Sequence, residues 1–222
     1  MKSIRHTITT GILLLLLAGV GSAESFQGIV AFQVQQGRDS LDMTYHVKGD
    51  HLRIEMSGGP GMQGAAMLLD LEGKQMRVLN PEERYYMSID ISRLLDRAEE
   101  LSKDEDENAD MRIERTGETE KILDFLCEKV LIRDGAEVTE LWLTDELGPF
   151  LSFMSAMRAD QREGSLWERF LAGRNAFPLR IVQQDRRGRN RFRMEATSVQ
   201  PKELPDDLFT IPEGYRELRL PF

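Results

Sequence analysis

From Phe26 to Met56 the chain alternates apolar and polar residues almost without interruption. FQGIVAFQV sets Phe26, Gly28, Val30, Phe32 and Val34 on one side of an extended chain. LDMTYHV sets Leu41, Met43, Tyr45 and Val47 on one side and Asp42, Thr44 and His46 on the other. After a turn at Gly49–Asp50, HLRIEM continues the pattern through Leu52, Ile54 and Met56. Successive side chains of a strand point to opposite faces, so this period predicts half-buried antiparallel strands in a meander. Ser57 to Gly64, SGGPGMQG, reads as a loop, because it lacks the lysine and the strand-to-helix setting of a phosphate loop. A hairpin follows, turning at Glu72–Gly73, with Leu69 and Leu71 before it and Met76 and Val78 after it. Tyr85, Met87 and Ile89 mark a further strand.

The period then changes. Leu94, Leu95, Ala98 and Leu101 fall at helical spacing, with Asp90 or Ser92 placed to cap the start. Lys103 to Asp110 is a charge run, the composition of a solvated loop. Strands resume at Met111, and a hairpin turning at Asp134–Gly135 places Val130 and Ile132 on one arm and Trp142 on the other. Gly148 to Ala176 reads as helical and broken at Gly164. Its stripes are Phe150, Phe153, Met154 and Met157, then Leu166, Trp167, Phe170 and Leu171, ending at Gly173. A last strand pair sets Phe177, Leu179 and Ile181 against Phe192, Met194 and Ala196, and Pro205 and Pro212 frame a short apolar segment near the C-terminus. Strands are not separated by helices, which argues against a parallel α/β sheet. The pattern predicts a mainly β, α+β fold of roughly ten strands. It is an unclosed antiparallel barrel or strongly curved sheet, with the amphipathic helices covering its concave side.

The N-terminus supplies an address. MKSIRH is basic, ITTGILLLLLAGV is apolar, and Gly21, Ser22 and Ala23 are small, which is the layout of a secretory signal peptide. The apolar run is shorter than the ~20 residues a membrane span needs. Residues 1–23 are therefore expected to be a leader and 24–222 a single domain, exported to the periplasm, soluble and without a transmembrane anchor after cleavage. The net charge of −9 argues against a general nucleic-acid binder, which needs a basic excess. One cysteine, Cys127, cannot form an internal disulfide.

The phrases VKGDHLRIEM, MLLDLEGKQMRVLNPEERYYM, TGETEKILDFLCEKVLIRDG, TELWLTDELG, FPLRIV and LPDDLFTIPEGY give the chain a resemblance that covers nearly all of it. It resembles the domain-of-unknown-function family 4412, which is similar in turn to periplasmic lipoprotein carriers of the LolA and LolB type. The resemblance rests on strand order and turn phrases rather than on catalytic residues. It implies an unclosed antiparallel barrel covered by helices around an apolar cavity, which in the carriers holds acyl chains. It carries over no site residues.

The chemistry is sparse. His46 and His51 flank one turn, no G-x-S-x-G phrase occurs, and nothing in the sequence ties Cys127 to a base. No catalysis and no cofactor are expected. Met56, Met62 and Met67 with His51 nearby suit copper(I), although methionine is also a flexible core filler. The leading reading is an apolar cavity for an acyl chain, lipid or lipoprotein. Its candidate lining is Phe32, Met43, Tyr45, Ile54, Leu69, Met76, Met87, Trp142, Phe153, Trp167 and Met194. The alternative is an envelope interaction module whose same residues pack solidly and leave no cavity. The third is a periplasmic copper protein. Arg186, Arg187, Arg189 and Arg191, with Arg193, form a basic hairpin tip suited either to solvent or to anionic headgroups or an acidic partner. Within FLCEKVLIRD the cleaner apolar face is Leu126, Val130 and Ile132. Cys127 alternates with Lys129 and Arg133 beside Phe125 and Leu131, the setting of a packed strand thiol, with intermolecular pairing as the alternative.

Overall fold

The alternating segments assemble into one sheet. The computed structural model describes residues 26–58, 64–103, 111–135, 137–152 and 165–219. The expected leader, the glycine-rich loop between Gly58 and Gly64, and the helical stripe carrying Phe153, Met154 and Met157 lie outside the described residues. The strands are β1 (Gln27–Gln36), β2 (Asp39–Lys48), β3 (His51–Ser57), β4 (Ala66–Asp70), β5 (Gln75–Asn80) and β6 (Tyr85–Asp90). They continue with β7 (Met111–Ile122), β8 (Phe125–Asp134), β9 (Glu137–Thr144), β10 (Phe177–Gln184), β11 (Asn190–Pro201) and β12 (Arg216–Glu217). Their spatial order is β12-β6-β5-β4-β3-β2-β1-β11-β10-β9-β8-β7, so the sheet is unclosed, with β12 and β7 at its edges. All neighbours are antiparallel except β12, which lies parallel on β6. Two helices are described, α1 (Ser92–Lys103) and α2 (Leu166–Leu171).

The register explains the faces. Phe32 pairs with Met43, Tyr45 with Ile54, Leu52 with Leu69, and Leu69 with Met76, so the alternating apolar residues of β1 to β5 share one face. Phe32 also pairs with Ala196 of β11, and Met194 with Ile181 of β10, which carries that face across the centre of the sheet. A bulge between Ala31 and Phe32 keeps β1 and β11 in step, and Thr197, the extra residue, donates its hydroxyl to the Ala31 carbonyl.

At the centre of the inner face Phe177 stands against Phe32, Tyr45 and Phe150, at centroid distances of 6.0, 6.1 and 5.4 Å. Tyr45 and Phe177 are on strands three spacings apart, ~14 Å on a flat sheet. Their convergence shows the sheet bowing around this cluster. The Tyr45 hydroxyl donates to the Leu151 carbonyl, which ties the segment after β9 to the same place. Leu94 and Leu95 of α1 pack against this core, and Trp167, Phe170 and Leu171 of α2 are buried in it. The Asp90 carboxylate accepts the Ser92 amide at the start of α1, as the capping pattern predicts. Glu168 is buried in α2 and accepts from the Ser152 hydroxyl and from both the amide and the hydroxyl of Ser165. These donors satisfy a carboxylate that would otherwise be costly to bury.

The other face has its own cover. Beyond β11 the chain runs as a strap along the outer side of β2 to β6. Lys48 donates to the Leu204 carbonyl and pairs with Asp206; Arg53 donates to the Leu208 carbonyl; and His51 faces Phe209. Ile211 and Tyr215 then pack against Ala66, Leu68 and Leu79, a small second core. The strap ends as β12, which covers the edge of β6. The period of the sequence does not reveal this, because β12 is two residues long.

Two residue assignments differ from the sequence expectation. Trp142 is on the outer face: it pairs directly with Lys129, while Leu141 and Leu143 take the inner positions of β9. ELWLT has three consecutive apolar residues, so period alone does not choose between its two faces. Leu126, expected on the buried face of β8, is 61% exposed. The pairing of β8 with β9 begins at Glu128, so Leu126 projects past the end of its neighbour. The β7–β8 turn also escapes a glycine search, because it is made by Leu123 and Asp124, both with positive φ (48° and 75°).

Candidate functional site

Of the proposed lining residues, Phe32, Tyr45, Ile54, Leu69, Met76 and Met194 are fully buried in the inner-face core, and Met43 and Trp167 nearly so. They pack against each other. Trp167 stacks on Phe192 at 5.6 Å, closing the core beside β11. Met87 behaves differently. It pairs with Val78 on the inner face yet is only half-buried, and Ile89, two residues along the same strand, is 37% exposed. Here lies a groove of about 310 Å³, lined by Val78, Tyr85 and Met87 together with Asn80, Pro81 and Glu82. Among the described residues the inner face is therefore packed around its centre and open at β5 and β6. Phe153 lies outside the described residues.

Trp142 belongs to a separate, polar arrangement on the outer face. Its indole N–H donates to Glu140, and the cations of Lys129 and Arg180 stand 5.6 and 5.9 Å from its ring. Lys129 bridges Glu118 and Glu140, and Arg180 bridges Glu120 and Glu195. Every charge in this cluster has a partner, which makes it a clamp on β7 to β11 rather than an open site. Cys127 lies on the same outer side and is completely buried. Burial pushes its thiol up to about 11. The thiol is therefore protonated at neutral pH, and it donates to the Phe125 carbonyl. Ellman's reagent at pH 8 is expected to modify Cys127 only as fast as the protein opens, and in guanidinium within seconds. Fast labelling of folded protein would show the thiol to be accessible. Raised above its unfolded value near 9, this thiol also withdraws stability as pH climbs from about 9 through 11, since the unfolded chain ionises first.

The copper arrangement is not brought together. Met56 and Met67 are buried on the inner face, whereas His51 is on the outer face under the strap; Met62 lies outside the described residues. Among the described residues no group of three or more histidine, cysteine or acidic side chains is placed to hold a metal ion. His46 is also on the outer face, and burial lowers its pKa, so it is neutral near pH 7.

The basic hairpin is divided by one carboxylate. Asp185 accepts from the backbone amides of Arg187 and Arg189 and from the Arg189 guanidinium, and pairs with Arg191. The Arg189 guanidinium, helped by those amides, holds the Asp185 carboxyl far below the usual carboxylate range. Arg189 and Arg191 are thus committed within the turn, and Arg186 and Arg187 are exposed.

The family model described as domain of unknown function, DUF4412, matches residues 26–215. The chain belongs to the DUF4412 family. No curated protein matches the chain in sequence. Among solved structures, the DUF4412 chain is similar to an uncharacterized conserved protein from Thermus thermophilus. That match has a TM-score of 0.53 and 13% identity, covering 89% of this chain and 93% of the other. This likeness concerns the fold alone. Further similar structures are the MucA/MucB complex of Pseudomonas aeruginosa (TM-score 0.43, 9% identity, 85% of this chain and 56% of the other) and a LolA superfamily protein from Nitrosomonas europaea. The latter has a TM-score of 0.34 and 16% identity, covering 85% of this chain and 91% of the other. Among the described residues of the DUF4412 chain, no helix is long and apolar enough to cross a membrane.

Proposed function

We propose that this protein binds a hydrophobic ligand, an acyl chain, lipid or lipoprotein, without catalysing a reaction, and that it does so after export to the periplasm as one domain spanning residues 24–222. The observation that carries this reading is the open end of the inner face. The groove beside Val78, Tyr85 and Met87 reaches the ~300 Å³ lower bound of small-molecule sites. Its lining mixes apolar side chains such as Val78 and Met87 with Asn80 and Glu82, which suits a ligand with an apolar body and a polar end. Each methylene taken from water contributes ~0.8 kcal/mol before ordering costs, so affinity grows with chain length without a polar anchor. In this reading α1 and α2 close the inner face behind the groove.

The alternative, an envelope interaction module with a solid core, draws its support from the packed cluster around Phe177. Displacement of a fluorescent fatty acid, with native mass spectrometry of gently purified protein, separates the two. Val78→Arg with Met87→Arg is expected to weaken fatty-acid binding at least tenfold while leaving the unfolding midpoint close to wild type, since both positions are only half-buried. Wild-type protein that neither carries a lipid nor takes up the probe would leave the interaction module standing.

A further inference from the structure

The β1–β2 turn and the β10–β11 turn are neighbours at one end of the sheet. Gln36 pairs with Phe192, and the Gly37 amide donates to the Arg191 carbonyl at 3.2 Å. Arg38 is thereby set beside the basic hairpin, a neighbour invisible in the sequence. Arg38, Arg186 and Arg187 are all exposed, and among the described residues none of the three has an ion partner. Asp185 fixes the turn beneath them and neutralises part of Arg189 and Arg191. Asp39 is the only carboxylate within the β1–β2 turn and its first strand position. These two turns therefore carry five arginines against two aspartates on a chain whose net charge is −9.

We propose that Arg38, Arg186 and Arg187 form a docking surface for an anionic lipid bilayer. Three guanidiniums presented by two tight turns match the spread negative charge of a headgroup layer, and the acidic remainder of the protein is repelled from it, so contact is made with this end foremost. The register adds the reason for preferring a bilayer over an acidic protein. Ala31 pairs with Thr44, Thr44 with Glu55, Glu55 with Ala66, and Ala66 with Leu79. The β5–β6 turn, which lines the groove, is thus on the arginine side of the sheet but set back from the arginine turns: Leu79 shares its row with Ala31, whereas Arg38 lies beyond Gln36. Docking by the arginines turns the groove's end of the sheet toward the bilayer, the side from which an acyl chain is taken up or released. This choice of partner rests on the acyl-binding reading.

Flotation with vesicles tests it directly. Full-length mature protein is mixed at low salt with phosphatidylcholine vesicles, or with vesicles containing phosphatidylglycerol. The protein is expected to float with the anionic vesicles alone and to be released by salt. Replacing Arg38→Gln, Arg186→Gln and Arg187→Gln together is expected to lower the apparent affinity about 100-fold, roughly five-fold for each guanidinium. Lys121→Gln with Lys202→Gln, at the opposite end, is expected to leave it unchanged, as is Met87→Gln, which alters the groove and not the surface charge. Circular dichroism confirms folding of each variant. Equal flotation with neutral vesicles, wild-type binding by the triple arginine variant, or an equal loss in the Lys121/Lys202 variant would overturn the proposal. So would arginine-dependent binding to polyglutamate with no flotation, which assigns the surface to an acidic protein. Loss of fatty-acid binding in Met87→Gln with flotation intact separates the groove from the docking surface.

Discussion

Phe177→Ala is expected to cost about 3–5 kcal/mol of folding stability, the usual range for removing a fully buried phenylalanine. Domains of this size have roughly 5–15 kcal/mol in total, so the variant should sit close to unfolding at physiological temperature. The position is exacting because Phe177 touches rings from three directions. It stacks on Phe32 and meets Tyr45 and Phe150 edge-on, at interplanar angles of 82° and 89°. These rings come from β1, β2 and the segment after β9, so one side chain holds together parts of the sheet far apart in sequence. Phe177→Leu keeps most of the buried area and loses the edge-to-face contacts, about 0.5–1.5 kcal/mol for each pair. Urea denaturation of both variants checks the order. Phe177→Ala within about 1 kcal/mol of wild type, well short of the usual cost, would mean that the cluster is loosely packed and the inner face is open at its centre.

Ending the chain after Lys202 is the second large effect. Leu204, 3% exposed, then leaves water-excluded surroundings worth about 1.5–3 kcal/mol. Ile211 and Tyr215 uncover Ala66, Leu68 and Leu79. The β6 edge also loses the two backbone hydrogen bonds from Arg216 to Arg84 and from Leu218 to Tyr86. A freed sheet edge invites pairing with another chain. The truncated protein is expected to melt several degrees lower and to aggregate on warming, with faster amide exchange in β6. Ile211→Ser should reproduce part of the melting shift without freeing the edge. A truncated protein that melts like wild type would show the strap to be an appendage.

Much of the fold is legible because half-buried strands leave a period of two. Alternation alone puts Phe32, Tyr45, Ile54, Leu69, Met76 and Met194 on the core face, and the register bears that out. Where three apolar residues run together, as at Leu141, Trp142 and Leu143, alternation has no single phase, and the pairing of Trp142 with Lys129 decides it. Leu126 departs from its expected burial for a related reason, while Cys127 is buried as the packed-thiol reading expects. Burial near a strand end depends on where the neighbouring strand stops, and the sequence of β8 does not contain the length of β9.

The binding surfaces are less legible still. Met87 shares its character with ten other candidate lining residues, and its place near the edge of the sheet is what distinguishes it. The basic hairpin is visible as five arginines. Which of them are spent on Asp185, and that Arg38 stands beside the rest, follow from a turn geometry and a strand pairing.

Residue order along the chain was enough to settle the mainly β class, the antiparallel pairing, the core face of most strands and the family, because each is written in local periodicity or in short turn phrases. Among the described residues, long-range packing alone set where the inner face is packed and where it is open, and which arginines remain unpaired. It also laid the C-terminal segment over the outer face and the β6 edge. Those outcomes depend on the neighbours each position acquires from residues distant in the chain, and periodicity along one strand carries no record of them.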